Sequence, residues 1–363
     1  GCVAQGYVMI KYIGSKRKLM TNIIAAIRAL EPSGAVADLF SGTSRVAHAL
    51  KAAGYYVKAN DHATFAHCLA RCYIATDRDR VIAKAERVLA ELRRVAPHPG
   101  YFTETFCVRS RFFHPKNGAR IDAVRERIAQ LQLDPELEAI TLVSLMEAAD
   151  RVDSTTGLQM AYLKNWAPRA FNDLELRVPN ILPGPGEAHQ LEAEDAAATL
   201  SADVAYLDPP YNQHSYMGNY HIWETLVRWD KPDTYGVACK RIDCRQYSSP
   251  FNSRVRAAEA LKKVVTRCAA RHLVVSFNNE GYIAREHMEE LLRSRGEVRV
   301  IALDNKRYVG AQIGIFNPQG KRVGRVGHLR NREYLFVVAP EAWRADAAVA
   351  AAGRARPAAV RIP

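Results

Sequence analysis

The stretch Ala35-Val36-Ala37-Asp38-Leu39-Phe40-Ser41-Gly42-Thr43-Ser44 decides the fold class. Its apolar run ends in an acid and passes at once into small polar residues, which is typical of a strand followed by a tight turn. A helical apolar pattern then runs to Gly54, which ends the helix. The next segment, Tyr55-Tyr56-Val57-Lys58-Ala59-Asn60-Asp61, predicts a second strand with an acid at its carboxyl end. The sequence therefore predicts a βαβ unit.

Two later segments predict further strands of the same sheet. Val204-Ala205-Tyr206-Leu207 leads into Asp208-Pro209-Pro210-Tyr211, and the apolar run His272 to Phe277 ends in Ser276-Phe277-Asn278-Asn279. Strands that alternate with helices imply a mostly parallel sheet covered by helices on both faces. We therefore expect an α/β fold.

The character of the chain changes between the two halves of this sheet. Apolar residues there repeat at helical spacing among many arginines, and a proline cluster precedes the return to the sheet. The predicted organisation is a flexible start or expression remnant at 1–8, a catalytic domain at 9–77 and 191–341, a helical insert at 78–190, basic β-hairpins within 303–338, and a mobile Ala/Arg/Pro tail at 342–363.

Composition restricts the partners and the compartment. The chain of 363 residues has 51 Lys and Arg against 38 Asp and Glu, a formal net charge of +13, which favours a polyanionic partner. A solvated basic surface is the alternative. Its 7 cysteines form no CxxC pair, which argues against a disulfide framework and a zinc ribbon and favours a reducing, cytoplasmic compartment. No apolar run approaches the roughly 18 residues that span a bilayer, so we expect no membrane partner.

The βαβ turn has the composition of a nucleoside site. In open α/β sheets, ligands bind beyond the carboxyl ends of the strands. Gly42 allows close approach of the backbone, and Asp61 is placed to accept both hydroxyls of a ribose. The turn has one glycine where dinucleotide sites have three, so a cofactor with a ribose and no phosphate fits better. An ordinary tight turn beside a surface acid is the alternative.

Four motifs in order extend this prediction. Lys11-Tyr12-Ile13-Gly14-Ser15-Lys16-Arg17-Lys18-Leu19, Asp38-Leu39-Phe40-Ser41-Gly42, Asn60-Asp61 and Asp208-Pro209-Pro210-Tyr211 stand in sequence along the chain. Together the sequence resembles the Dam-like (type II) site-specific DNA adenine-N6 methyltransferases, from Lys11 to about Val338. The resemblance implies a Rossmann-like, S-adenosylmethionine-dependent methyltransferase sheet with a helical target-recognition insert. It also implies S-adenosylhomocysteine as a product and no metal.

The resemblance assigns residues to the site. The implied catalytic residues are Asp208, Pro209, Pro210 and Tyr211, and the implied cofactor residues are Tyr12, Lys16, Asp38, Phe40, Ser41, Gly42, Asp61, Asp195 and Asp208. Many family members have Trp and Gly-Gly where this chain has Tyr12 and Ile13-Gly14-Ser15, so the contact of Tyr12 is open. Glu194 is an alternative to Asp195.

The chemistry of an exocyclic amine suggests how the tetrapeptide acts. The N6 lone pair of adenine is delocalised into the ring, so the site has to favour tetrahedral geometry by accepting both N6 hydrogens. Asp208 and the Pro209 carbonyl are the expected acceptors, and Tyr211 is expected to stack on a base flipped out of the duplex. Transfer is then direct, with catalysis from positioning and preorganised dipoles.

Basic and amide side chains predict where double-stranded DNA lies. The predicted DNA-binding residues are Arg111, Asn117, Arg120, Gln159, Lys164, Lys321 and Arg322. The lysines and arginines are suited to phosphates, and Asn117 and Gln159 to base edges. We expect Arg111, Asn117, Arg120 and Gln159 of the insert to set the sequence preference, and Lys321 and Arg322 to contact mainly phosphates. A cognate restriction endonuclease is the second expected partner, as in a restriction-modification system. Cytosine-N4 methylation, RNA adenine methylation and a catalytically silent DNA-binding relative remain alternatives.

Overall fold

The computed structural model describes residues 9–11, 16–211, 215–306, 315–316, 322–324 and 330–355. The helices are α1 Met20–Leu30, α2 Arg45–Ala52, α3 Thr64–Ala70, α4 Arg78–Arg93, α5 Tyr101–Thr103, α6 Pro115–Leu131, α7 Pro135–Asp150, α8 Ala193–Thr199, α9 Tyr216–Asn219, α10 His221–Arg228, α11 Ala257–Arg267, α12 Arg285–Leu292 and α13 Ala342–Arg354. The strands are β1 Ala35–Asp38, β2 Tyr56–Asn60, β3 Glu187–His189, β4 Ala202–Leu207, β5 Thr234–Tyr235, β6 Lys240–Arg241, β7 Ala270–Asn278, β8 Glu297–Lys306, β9 Ile315–Phe316, β10 Arg322–Gly324 and β11 Arg330–Ala339. The predicted mixed α/β class is confirmed.

The described residues divide into two compact units. The first comprises those within Gly1–Arg17, Ala35–Ala196 and His214–Ser249, and the second comprises those within Lys18–Gly34, Ala197–Gln213 and Pro250–Pro363. The helical insert therefore belongs to the same unit as β1, β2 and β3. This division differs from the predicted one, in which the insert stands apart from all the sheet strands.

In the first unit, β2 lies between β1 and β3 and pairs in parallel with both. Val36, Ala37, Val57 and Ala59 are fully buried between the strands and their covering helices. Because all three strands run in one direction, the turns after β1 and β2 lie at the same edge of this sheet. That edge carries the first part of the site.

The helices of the insert begin where the sequence supplies caps. The side chains of Asp77, His114 and Asp134 accept backbone N–H groups at the starts of α4, α6 and α7. Proline occupies the first position of both α6 and α7, where its missing N–H costs nothing. Helix α7 is buried along nearly its whole length, so it forms the centre of the insert.

In the second unit, β4 pairs in parallel with β7, and β11 lies antiparallel between β7 and β8. The long β8 and β11 strands contribute the predicted β structure of this region, and β9 pairs antiparallel with β10. His272 on β7 is buried and its ring contacts Glu31, which follows α1, at 3.1 Å. The parallel pairing of β4 and β7 brings their carboxyl ends to one edge.

The predicted mobile tail is wrong for residues 342–355. Ala342–Arg354 form α13, which packs on α1 and β8, and Ala355 caps its carboxyl end. Ala345, Ala348 and Ala352 repeat at helical spacing and are fully buried. The Asn22 side chain donates to the Ala352 carbonyl at 2.8 Å. Alanine composition alone indicated disorder, but the small side chains allow close helix packing.

Candidate functional site

The turn after β1 has a demanding backbone conformation. Gly42 and Ser44 adopt positive φ angles of 53° and 65°, the second in a residue that rarely does so. The Ser44 N–H donates to the Ser41 carbonyl at 2.7 Å, and the Ser41 N–H donates to the Asn60 carbonyl at 2.9 Å. The turn is thus attached to the end of β2. The hydroxyls of Ser41 and Ser44 are buried and make no hydrogen bond within the described part of the chain.

Asp61 closes this turn from the end of β2. Its Oδ2 accepts the Gly42 N–H at 2.8 Å, and its Oδ1 accepts the Ala63 N–H at 3.0 Å. Burial raises the pKa of the Asp61 carboxyl, while these two N–H donors oppose the rise. A carboxylate has about four lone-pair sites, so the side chain keeps acceptor capacity for a ligand hydroxyl.

The start of α3 is held by residues distant in sequence. Glu224 on α10 accepts the N–H groups of Phe65 at 2.8 Å and Thr64 at 3.3 Å. The Gln190 amide donates to the His62 carbonyl at 3.1 Å. Carboxylates at helix N-termini satisfy N–H groups that have no partner within the helix. Glu224 and Gln190 therefore fix the backbone directly after Asp61.

An aromatic pair stands beside Asp61. The His62 and Tyr247 rings stack with centroids 4.9 Å apart and an interplanar angle of 13°. His62 Nε2 also lies 2.9 Å from Glu192 Oε1. Burial, followed by the negative charges of Glu192 and Asp61, raises the pKa of Tyr247 to about 12. Tyr247 thus remains a neutral hydroxyl near Asp61 and Glu192. No motif in the sequence indicates that Tyr247 lies there.

The remaining cofactor residues of the first unit differ in exposure. Asp38 at the end of β1 and Lys16 are buried, and Phe40 is half-buried in the turn. Asp195 lies in the first turn of α8 with an exposed side chain, and the adjacent Glu194 is half-buried. Tyr12 lies outside the described residues.

In the second unit, the tetrapeptide follows β4 directly. Leu207, the last residue of β4, is in register with Val275 of β7, so Asp208 follows the end of β4 beside the last residues of the parallel strand β7. Pro209 is buried, while Asp208, Pro210 and Tyr211 are half-buried. The tetrapeptide therefore offers side chains and carbonyl oxygens at the surface of a rigid strand end.

A loop from β7 supports the last tetrapeptide residue. The Tyr211 ring packs edge-on against Phe277, with centroids 5.9 Å apart and an interplanar angle of 68°. The Tyr282 N–H donates to the Tyr211 carbonyl at 2.9 Å. The sequence predicted a strand end at Phe277, but it indicated neither contact with Tyr211.

A further set of charges, missed from the sequence, holds the segment just before Tyr12. Lys11 Nζ donates to the Asp150 carbonyl and to Asp153 Oδ1, each at 2.8 Å. Arg169 Nε donates to the same Asp153 oxygen at 2.9 Å. Burial raises the pKa of Asp150 to about 6, and Lys11 opposes that rise. Lys11 thus joins this segment to the end of α7.

Similarity to known proteins identifies the family of the chain. The family model described as "D12 class N6 adenine-specific DNA methyltransferase" matches residues 12–291, which include both the Asp38–Gly42 turn and the tetrapeptide. The chain belongs to this family. The curated relatives include type II methyltransferases from bacteria and from a chlorella virus.

Three relatives illustrate the extent of the similarity. Type II methyltransferase M.NlaIII of Neisseria lactamica is 29% identical over 82% of this chain and 92% of that protein. Type II methyltransferase M.FokI of Planomicrobium okeanokoites is 30% identical over 79% of this chain and 47% of that protein. Type II methyltransferase M.CviAII of Paramecium bursaria Chlorella virus 1 is 27% identical over 82% of this chain and 92% of that protein. The chain thus spans nearly all of two relatives and about half of M.FokI.

Two of the base-reading residues predicted for this D12 methyltransferase lie in its interior. The Asn117 amide donates to the Ala170 and Asn172 carbonyls and accepts the Leu174 N–H. Gln159 is 4% exposed, and its side-chain oxygen accepts the Ile222 N–H at 2.8 Å. Both amides are occupied in holding loops, so neither is available to a base edge.

The basic residues of the insert that were predicted to bind DNA are more exposed than Asn117 and Gln159. Arg111 lies over the Trp166 ring at 4.6 Å and donates to the Lys164 carbonyl. Arg120 donates to the carbonyls of Val95 and Arg93, and the Lys164 side chain is exposed. Lys321 lies outside the described residues, as does the side chain of Arg322. Lys164 has the exposure that a phosphate contact needs.

Two kinds of feature are absent from the described residues. No group of three or more His, Cys, Asp or Glu side chains is arranged there to hold a metal ion. None of the helices in the same residues combines the length and apolar character that crossing a membrane requires.

Proposed function

We propose that the chain transfers the methyl group of S-adenosylmethionine to N6 of an adenine flipped out of double-stranded DNA. The match to the D12 class over residues 12–291 carries this proposal, because it includes the nucleoside-type turn and the tetrapeptide in one alignment. The net charge of +13 fits a polyanionic substrate.

The residues of the first turn fit the proposed cofactor. Asp61 keeps acceptor capacity beyond its two backbone bonds, which suits the hydroxyls of a ribose. The buried Ser41 and Ser44 hydroxyls, without hydrogen bonds inside the described chain, suit further polar groups of a ligand. When bound, S-adenosylmethionine supplies a methyl group activated by a sulfonium. We assign Lys16, Asp38, Phe40 and Gly42 to the same site.

The tetrapeptide is assigned to the adenine. Asp208 Oδ and the Pro209 carbonyl accept the two N6 hydrogens and thereby localise the nitrogen lone pair. The new N–C bond forms as the methyl–sulfur bond breaks, and the N6 proton leaves through Asp208 to solvent. Proline at both central positions removes competing N–H donors from the turn. Tyr211 stacks on the flipped base and holds it in line.

The proposed biological context is restriction-modification in a bacterial cytoplasm. The relatives are named type II methyltransferases, and we propose that methylation by this chain protects DNA from a cognate restriction endonuclease. The partners are thus duplex DNA and, through that DNA, the endonuclease.

One assay tests the reaction. The protein is incubated with methyl-tritiated S-adenosylmethionine and either a randomised duplex library, single-stranded DNA or RNA, and the product nucleosides are separated. We expect N6-methyladenine from the duplex, lost in the Asp208→Ala variant. N4-methylcytosine or methylated RNA would instead support the other methylation reactions, and no product with retained DNA binding would indicate a silent relative. Sequencing of the methylated duplexes gives the recognition sequence.

A further inference from the structure

The loop that follows β7 lies against Tyr211 at very short range. An ideal Cβ built on Gly281 would lie 2.4 Å from Phe277 Cε1, 2.8 Å from Phe277 Cζ and 3.1 Å from Tyr211 Cβ. Real Cβ atoms essentially never approach another atom within 3.0 Å. The absent side chain of Gly281 is therefore what allows Phe277 and Tyr211 to occupy their places together.

The same loop is fixed at its origin. The buried Asn278 side chain donates to Glu333 Oε1 on β11 at 2.9 Å, and its Oδ1 accepts the Glu280 N–H at 2.8 Å. The Gly281 N–H donates to the Asn278 carbonyl at 3.0 Å. One amide thus ties the loop to the neighbouring strand and also forms its turn.

A second pair of bonds extends the attachment to β11. The Asn279 N–H donates to the Arg332 carbonyl at 3.0 Å, and the Arg332 N–H donates back to Asn279 Oδ1 at 3.2 Å. At its far end the loop donates the Tyr282 N–H to the Tyr211 carbonyl at 2.9 Å. Tyr211 is therefore connected to β11 through the loop and the hydrogen bonds at its two ends.

We infer that the loop Asn278–Tyr282 is a positioning element for Tyr211, with Gly281 and the Asn278–Glu333 pair as positioning residues that set how the Tyr211 ring meets the flipped base. The inference rests on the proposed function. The Phe277 ring packs edge-on against the Tyr211 ring, and the loop holds the Tyr211 backbone. The orientation of the Tyr211 ring is therefore set before a base arrives. Preorganisation of this kind affects the chemical step more than binding, because a misplacement of about 1 Å costs up to about 100-fold in rate.

The first test is Gly281→Ala, using the duplex identified by the methylation assay. We expect the single-turnover rate to fall about 10- to 100-fold, while the Kd values for S-adenosylmethionine and for DNA stay within about threefold. With 2-aminopurine in place of the target adenine, the bound duplex should become brighter than with the wild type, because a displaced ring stacks less on the flipped base. Gly353→Ala on α13, whose Cβ would meet Ile301 at 3.0 Å in the same unit, is the matched control and should keep the wild-type rate.

Rescue separates positioning from loss of structure. Phe277→Leu removes the two ring atoms that the new Cβ would meet, so the double variant Gly281→Ala/Phe277→Leu should be faster than Gly281→Ala alone. Asn278→Asp places a carboxylate beside Glu333 and should slow the reaction, whereas Asn278→Asp/Glu333→Gln restores one donor and one acceptor and should recover much of the rate. The Asn278 and Glu333 variants test the inference even when the Gly281→Ala variant does not fold.

The outcomes distinguish the two proposals. A wild-type protein without adenine methylation overturns the proposed function. A wild-type protein that methylates adenine, with wild-type rate and fluorescence in Gly281→Ala, overturns the positioning role alone. Equal slowing of Asn278→Asp with and without Glu333→Gln has the same meaning, because the inference requires that this pair act as a unit.

Discussion

The Asp61 carboxylate accepts the backbone N–H of Gly42, nineteen residues earlier in the chain, at 2.8 Å. This bond joins the ends of two adjacent parallel strands, and it holds a turn that contains two residues with positive φ. The side chain that is assigned to the cofactor is therefore also part of the scaffold that shapes the turn. Substitutions at this position should affect both roles, and measurements have to separate them.

Asp61→Ala should weaken S-adenosylmethionine binding by about 1.5 to 3 kcal/mol, the usual cost of losing hydrogen bonds to a charged group. Calorimetric titration measures this directly. Thermal unfolding of the same variant reports the lost bonds to Gly42 and Ala63, and Asp79→Ala, an exposed acid in the first turn of α4, is the control. Unchanged affinity in Asp61→Ala would refute the assignment.

Asp208→Ala should abolish methyl transfer and leave the fold intact. The side chain is half-buried at a strand end, so little packing is lost. Removing one preorganised group that acts in the transition state typically costs on the order of 100-fold or more in rate. Single-turnover kinetics at saturating DNA and cofactor measure this cost, with far-UV circular dichroism as the check on folding. Half the wild-type rate would be incompatible with the proposed mechanism.

Glu147 on α7 should make stability depend on pH. Burial raises its pKa from 4.5 to about 7, and the Tyr73 hydroxyl, which donates to it, opposes that rise. The folded state then holds a proton that the unfolded state releases, so the stabilising contribution is present below about pH 4.5 and is lost as the pH rises through 7. The loss is on the order of 3 kcal/mol.

Comparison of variants isolates this contribution. Urea unfolding between pH 5 and 8 should show a smaller pH dependence in Glu147→Gln, which keeps the acceptor for Tyr73 and cannot titrate. Glu138→Gln, a half-exposed position on the same helix, should retain the wild-type pH dependence. Identical curves for the wild type and Glu147→Gln would show that this carboxyl is already ionised in the folded protein.

Gln159→Ala should lower stability without changing sequence preference. The backbone N–H of Gln159 donates to the Asn219 carbonyl, and the backbone carbonyl of Gln159 accepts a hydrogen bond from His221 Nε2. The side-chain oxygen of Gln159 accepts the Ile222 N–H. Burial lowers the pKa of His221 to about 3, so the ring is neutral, and its proton lies on Nε2 because a carbonyl can only accept. Loss of the side chain leaves the buried Ile222 N–H unsatisfied, at a cost of about 1 to 3 kcal/mol. A changed methylation profile with an unchanged Tm would return Gln159 to the DNA interface.

Local patterns in the sequence predict the parts of the structure that depend on neighbours along the chain. The turn around Gly42, the acid after β2 and the helical character of the insert all follow from spacing and turn chemistry. The burial of Asn117 was not predicted, because residue type does not reveal whether an amide faces solvent or a loop carbonyl. The cap that Glu224 provides for α3 was missed for a related reason, since its partners lie about 160 residues away.

Lys321 and Arg322 should contribute to DNA affinity without sequence preference, whereas the insert should set that preference. Both side chains are basic, so Lys321→Ala and Arg322→Ala should weaken binding to all duplexes alike and reduce the salt slope by about 1 each. Arg111→Ala and Arg120→Ala should instead change discrimination at particular base pairs by about 1 to 3 kcal/mol. Lys164→Ala, at an exposed position of the insert, tests a phosphate contact there.

Methylation profiles of each variant on the randomised library, with binding measured at two salt concentrations, check both the affinity role of Lys321 and Arg322 and the specificity role of the insert. Relaxed specificity in the Lys321 and Arg322 variants, together with wild-type specificity in the Arg111 and Arg120 variants, would exchange the two roles.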